Sequence, residues 1–154
     1  MAFPTENLIV LSIVSLIVVA IVAYLIFSSA KSARFTSVKI GNATVNAEVA
    51  DTFARQIRGL MFRKSLDENG GMLFTFSSEG YQGIWMMNMS FPIDIIWINS
   101  SKQVVSIQKN AQPCTLTSCP TYKPSGPAMF VLEVNAGFCG MHNIKVGSKA
   151  DFDI

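Results

Sequence analysis

The chain has 154 residues, half of them hydrophobic, with twelve basic side chains against ten acidic ones for a net charge of +2. That length allows one globular domain beside a membrane segment and excludes a second. The basic residues are scattered among the acidic ones without a stripe or interleaved aromatics, so no nucleic-acid partner is expected.

From Leu8 to Phe27 the sequence runs LIVLSIVSLIVVAIVAYLIF, without a charge. At about 1.5 Å rise per residue such a run crosses a hydrocarbon core of roughly 30 Å. Residues 1–30 are therefore expected to be a single transmembrane anchor, with the lipid bilayer as partner of Leu8 to Phe27 and Tyr24 at the interface. A cleaved signal peptide is the rival reading, because Ser28 and Ala30 form a small-x-small pair after the run. The length of the run and the lack of a preceding Lys or Arg oppose it. A short polar linker ends at Ser37, covering 31–37 after the anchor, and the globular domain is expected over 38–154.

Inside that domain, Val38 and Ile40 alternate with polar neighbours, Gly41-Asn42 supplies a turn, and Val45, Ala47 and Val49 resume the period of two, which predicts a hairpin. Asp51 or Thr52 then caps a helix ending near Gly59, with Phe53, Ile57 and Leu60 on one face. Gly70-Gly71 reads as a turn. Strands are predicted at Met72–Phe76, Ile84–Met87, Ile93–Ile98, Gln103–Gln108, Ala128–Val134 and Ile144–Phe152, with a hairpin loop over Asn99–Lys102. Phe138–Asn143 suits a second short helix. Pro113–Pro127 carries four prolines and reads as an ordered excursion outside the sheet. The expected architecture is α+β and mostly β: a small curved or barrel-like sheet with one or two short helices, preceded by the transmembrane helix.

Two features bear on the side of the membrane. Lys31, Arg34 and Lys39 follow the apolar run, and positive-inside counting would hold the domain in the cytoplasm. Cys114 and Cys119, however, bracket a CTLTSC loop of a size that a disulfide can close, which favours an oxidising exterior. Three sequons, at Asn42, Asn88 and Asn99, point the same way. The reading adopted is a single-pass protein of the cell membrane with an extracytoplasmic domain.

The ordered blocks RGLMFRKSL, GMLFTF, WMMNMSFPIDIIWI, PC followed by CPTY, and VLEVNAGF with a later KVG resemble the domain of unknown function 192 family, an uncharacterised protein family. The resemblance covers about Ala47 to Gly147. It implies a compact β-rich fold, and the N-terminal signals or anchors common among members imply an exterior location; it implies no reaction. Met87 departs from the pattern, standing where members usually place Lys or Arg, so no anion contact is carried over to that position.

The matched blocks suggest a site. Arg58 and Arg63 flank a Gly59-Leu60-Met61-Phe62 turn and could converge on one place with planar, bidentate guanidinium groups. Asp94 shares a strand face with Ile96 and Ile98, while Ile93, Ile95 and Trp97 take the other. A carboxylate among aliphatic neighbours needs a partner, and one of the two arginines is the expected one. This ion pair can be purely structural. In the functional reading Arg58, Arg63, Trp85, Asn88 and Asp94 line a pocket for a small polar or anionic ligand, with Trp85 as a stacking wall and Asn88 as an orienting amide.

The alternative is a soft-metal site. Cys139 and His142 stand at i and i+3, Met87 and Met89 share one strand face, and such donors favour copper in its Cu(I) form. One histidine and a single cysteine pair make no zinc quartet. An enzyme is not expected: Cys139 and His142 on one short helix lack the geometry of a nucleophile and base, and Glu48, Asp94 and Glu133 would make a glycosidase pair only if two faced one cleft at about 5–9 Å. The function expected is thus a membrane-anchored, extracytoplasmic binding or accessory domain whose partner is a small ligand or an envelope protein. Copper binding and a purely structural role are the alternatives.

Overall fold

The computed structural model describes residues 14–21, 33–115 and 118–154. Residues 14–21 are helical, and the remainder of Leu8–Phe27, the Ser28–Ala30 pair and Lys31 lie outside the described residues. Among the described residues no helix is long and apolar enough to cross a membrane.

The folded unit begins at Arg34. β1 (Phe35–Ile40) and β2 (Ala43–Ala50) form the expected hairpin, with Ile40 opposite Ala43 and Gly41 in the left-handed region at φ +60°. Its first strand starts three residues earlier than the pattern predicts. Phe35–Ser37 therefore belong to the sheet and not to a linker, because Phe35–Ser37 pair with Asn46–Glu48. α1 (Phe53–Arg58) is capped by Thr52, whose hydroxyl accepts from the Arg55 amide. It serves as the crossover that parallel pairing of β2 with β3 (Gly70–Gly80) requires.

Gly70-Gly71 is not a turn but the start of β3. At Gly71 a Cβ would stand 2.7 Å from Val45 Cγ1 and 2.8 Å from the Glu133 carbonyl oxygen, so only glycine allows the strands to close here. β4 (Ile84–Trp85) pairs with β7 (Thr121–Tyr122), a two-residue strand inside the proline-rich excursion predicted to lie outside any sheet. β5 (Ile93–Ile98), β6 (Val104–Ala111) and β8 (Ala128–Asn135) follow the predicted runs. α2 (Phe138–Met141) is the second short helix. Of Ile144–Phe152, only Ala150–Asp151 forms a strand, β9.

The main sheet has the order β6-β5-β8-β3-β2-β1-β9. It curls into a half-barrel whose ends approach: the Val104 amide donates to Ser148, the Gly147 amide to Val104, and the Ala150 amide to Lys102. Both faces are apolar. One core holds Val38, Val45, Leu73, Ile96, Ile98, Leu132, Val134 and Phe138. The other holds Leu60, Met72, Phe74, Met86, Ile93, Ile95, Trp97 and Val131. β5 is buried along its whole length because it faces both, which is why it reads as an apolar run broken only by Asp94.

Candidate functional site

The buried acids among the described residues are Asp94 and Glu133, and strand alternation at a register one position apart sends them to opposite faces of the sheet. Asp94 lies opposite Val134, while Glu133 lies between Met72 and Ile95 across the neighbouring strands. They do not share a cleft, so this pair cannot serve as acid and base.

Asp94 is fully buried, as its aliphatic surroundings predict, but its partner is not an arginine. Oδ1 accepts from the amides of Asn110 at 2.8 Å and Gly137 at 3.2 Å, and Oδ2 accepts from the Cys139 amide at 2.9 Å. The carboxylate ties β6 and the start of α2 to β5. Backbone donors suffice because the residues before and within α2 present free N–H groups to it.

Arg63 pairs instead with Glu48, Nη2 to Oε2 at 2.5 Å. Arg55 is held by Asp51 at 3.3 Å. The Arg58 side chain has no hydrogen bond or ion pair among the described residues, while its carbonyl oxygen accepts from the Met61 amide. It lines a narrow crevice with Gln56, Ile57, Leu60, Phe74, Trp85 and Glu133, about 50 Å³ in volume, between the end of α1, β3 and β4. Gln56 fixes the helix to β3 by donating to the Thr75 carbonyl oxygen at 2.7 Å. Trp85 is 45% exposed and forms the outer wall.

Glu133 is 4% exposed, and its carboxyl has no hydrogen-bond partner among the described residues. Burial pushes this carboxyl up to about 8, with the Arg63 guanidinium pulling the other way. At neutral pH it is therefore largely a neutral acid, able to donate as well as accept a hydrogen bond. The crevice thus joins a free guanidinium, an indole face and a buried carboxyl.

Two of the five residues expected to form a pocket, Arg58 and Trp85, meet in the crevice. Arg63 stands close enough to act on Glu133 through its charge, while Asn88 lies alongside, its carbonyl accepting from the Phe62 amide and its Nδ2 facing Met61 sulfur at 3.8 Å. Phe62 and Asn88 both have positive φ, 63° and 58°, so the connection between them is locally strained. Asp94 is absent from the group. Glu133 was visible in the sequence only as an acid between Leu132 and Val134, a pattern that signals a buried carboxylate but not which cavity it faces.

Comparison with known proteins places this arrangement in a family. The family model described as uncharacterised ACR, DUF192, matches residues 36–152. The chain belongs to the DUF192 family. A UPF0127 protein of Thermococcus sibiricus is 31% identical over 113 residues, 72% of this chain and 68% of the relative. A UPF0127 protein of Pyrococcus furiosus is 26% identical over 114 residues, 71% of this chain and 88% of the relative. Among solved structures, a protein of unknown function from Novosphingobium aromaticivorans superposes with a TM-score of 0.72 at 30% identity, covering 79% of this chain and 88% of the other.

In this DUF192 domain the sulfur and imidazole donors are divided. Cys139 belongs to one core with Phe138, whereas Met89 packs against the other, and Met87 bridges to Cys114 in the β4 region. His142 is turned toward the β1–β2 turn, its Nδ1 3.0 Å from Asn42 Oδ1. Burial, with the Asp94 carboxylate beside it, pushes the Cys139 thiol up to about 12. The four candidate copper ligands do not converge, and a thiol so reluctant to ionise makes a poor ligand or nucleophile. Cys114 and Cys119 are joined as a disulfide.

Proposed function

We propose that this DUF192 domain is a non-enzymatic binding domain, held on a membrane by Leu8–Phe27 and displayed on the extracytoplasmic side. Its crevice at the end of α1 receives the polar or anionic end of a small ligand. The observation that carries this reading is Glu133, a carboxyl nine-tenths buried that lines a crevice without a hydrogen-bond partner among the described residues. With 4% of its surface open, the Glu133 carboxyl is reached through the crevice, and a ligand group there supplies the hydrogen bond that no described residue makes to it. The uncharged run of the first thirty residues supports the anchor, and the Cys114–Cys119 disulfide supports an oxidising exterior.

A thermal-shift screen of small polar and anionic compounds on the full chain in detergent tests the site. A ligand at a hundredfold excess over its Kd adds about 2.7 kcal/mol of stability, a readily measured rise in Tm. The expected result is at least one compound that shifts the wild type and fails to shift Arg58→Gln and Trp85→Ala. Hits that shift all three proteins alike, or a broad screen without hits, would remove the crevice as a binding site.

A further inference from the structure

We propose that the crevice is a carboxylate site: it takes the head group of a small organic monocarboxylate between Arg58 and Glu133, with the apolar body of the ligand lying on Trp85 and Ile57. This rests on the binding function argued above and names the ligand class. Space comes first. At about 50 Å³ the crevice holds a head group and not a whole metabolite, so the rest of the ligand must stay at its mouth. There Trp85 and Ile57 are 45% and 48% exposed, an apolar shelf beside a polar hole.

Charge narrows the choice. Of the arginines around α1, Arg63 is held by Glu48 and Arg55 by Asp51, which leaves Arg58 as the guanidinium free to accept a ligand anion in two parallel hydrogen bonds. The groups acting on Glu133 are Arg63, from the segment after α1, and the Met72 and Ile95 that flank it on the neighbouring strands, which carry no charge. A ligand ammonium would suit an ionised Glu133 but would sit beside two guanidinium groups. A neutral amide or alcohol would satisfy Glu133 and leave Arg58 unused. A carboxylate uses both, receiving the Arg58 donors and the O–H of a protonated Glu133.

Isothermal titration of the full chain in detergent with phenylacetate and its neutral isostere phenylacetamide decides this, at about pH 6.5 and about pH 9, either side of the Glu133 titration. Phenylacetate is expected to bind at the lower pH and to weaken by about tenfold at the higher one, as about nine in ten Glu133 carboxyls lose the proton. Phenylacetamide should bind at least about tenfold more weakly at the lower pH. Arg58→Gln, on the surface and neutral to folding, should lose phenylacetate at both pH values. Glu133→Gln, which keeps one donor, should bind more weakly than wild type and no longer respond to pH, whereas Glu133→Leu, which keeps none, should lose binding. Acetyl-glycyl-phenylalanine, carrying the same head group at a chain end, separates the two sources: tighter binding than phenylacetate assigns a peptide terminus, equal or weaker binding a free acid.

Phenylacetamide binding as tightly as phenylacetate, with the same dependence on Arg58 and Trp85, would overturn the carboxylate assignment and leave the crevice as a ligand site. Affinity of Glu133→Gln that falls with pH in step with wild type would remove Glu133 from the site. Absence of binding by either compound, together with hits elsewhere in the thermal-shift screen, would overturn the ligand class alone.

Discussion

Glu133 is the residue whose environment departs furthest from that of a glutamate in water, and its consequence for stability has a definite sign. Its carboxyl titrates at about 8 in the fold against an ordinary 4.5, so between those values the folded chain holds a proton that the unfolded chain has lost. The contribution is complete below about pH 4.5 and is lost as the pH rises to about 8. A shift of that size corresponds to something on the order of 4 kcal/mol between the two ends of the window. Urea unfolding of wild type and Glu133→Gln at pH values across this window is expected to show wild-type stability falling relative to the variant, with most of the divergence complete by about pH 8. Parallel profiles would mean that Glu133 is ionised in the folded protein, and the donor role assigned to it in the crevice would fall with it.

At the scale of elements, Asp94 does for α2 what propensity cannot. Four residues, Phe138–Met141, are too few to be stable as an isolated helix, and two of the three amides bound by Asp94 come from Gly137 and Cys139 at its start. Asp94→Asn keeps one oxygen and turns the side-chain amide NH2, a donor, toward a backbone N–H, so a loss of about 1–3 kcal/mol is expected, together with faster hydrogen exchange at Gly137 and Cys139. Unchanged exchange at those two amides would show that the rest of the Phe138 packing suffices. Elements such as β5, the β1–β2 hairpin and the Thr52 cap were legible because their signals are local: an apolar run, a Gly-Asn turn, a capping hydroxyl. The partner of Asp94 was not, since backbone amides brought together by a register leave no trace in side-chain composition. Nor was Gly71, where the need for glycine comes from Val45 and the Glu133 backbone on neighbouring strands, and not from a turn. The sequon asparagines also have turn roles: Asn88 holds a positive φ, and Asn99 Oδ1 accepts from the Gln103 amide. Phe53 and Ile57, placed on one apolar face with Leu60, are 78% and 48% exposed, because α1 itself buries no side chain and only Leu60, two residues past its end, reaches the core.

For the whole molecule, the three cysteines report the compartment and the state of the fold together. Cys139 is buried and its thiol is pushed up to about 12, so in the native protein it should resist alkylation at neutral pH. Cys114 and Cys119, half-buried next to the β4–β7 ribbon and open in part to whatever redox poise surrounds the domain, should resist only while they are joined. Alkylating intact membranes, then repeating after reduction and again after denaturation, separates the two causes. Expected is no label at first, paired label on Cys114 and Cys119 after reduction, and label on Cys139 only when the chain unfolds. That order would place the domain outside, against the count of Lys31, Arg34 and Lys39, and would make ligands of the envelope the ones available to the crevice. Immediate labelling of Cys114 and Cys119 with Cys139 still protected would mean a folded domain in a reducing compartment. The positive-inside rule would then hold, and the carboxylates within reach of Arg58 would be cytoplasmic ones.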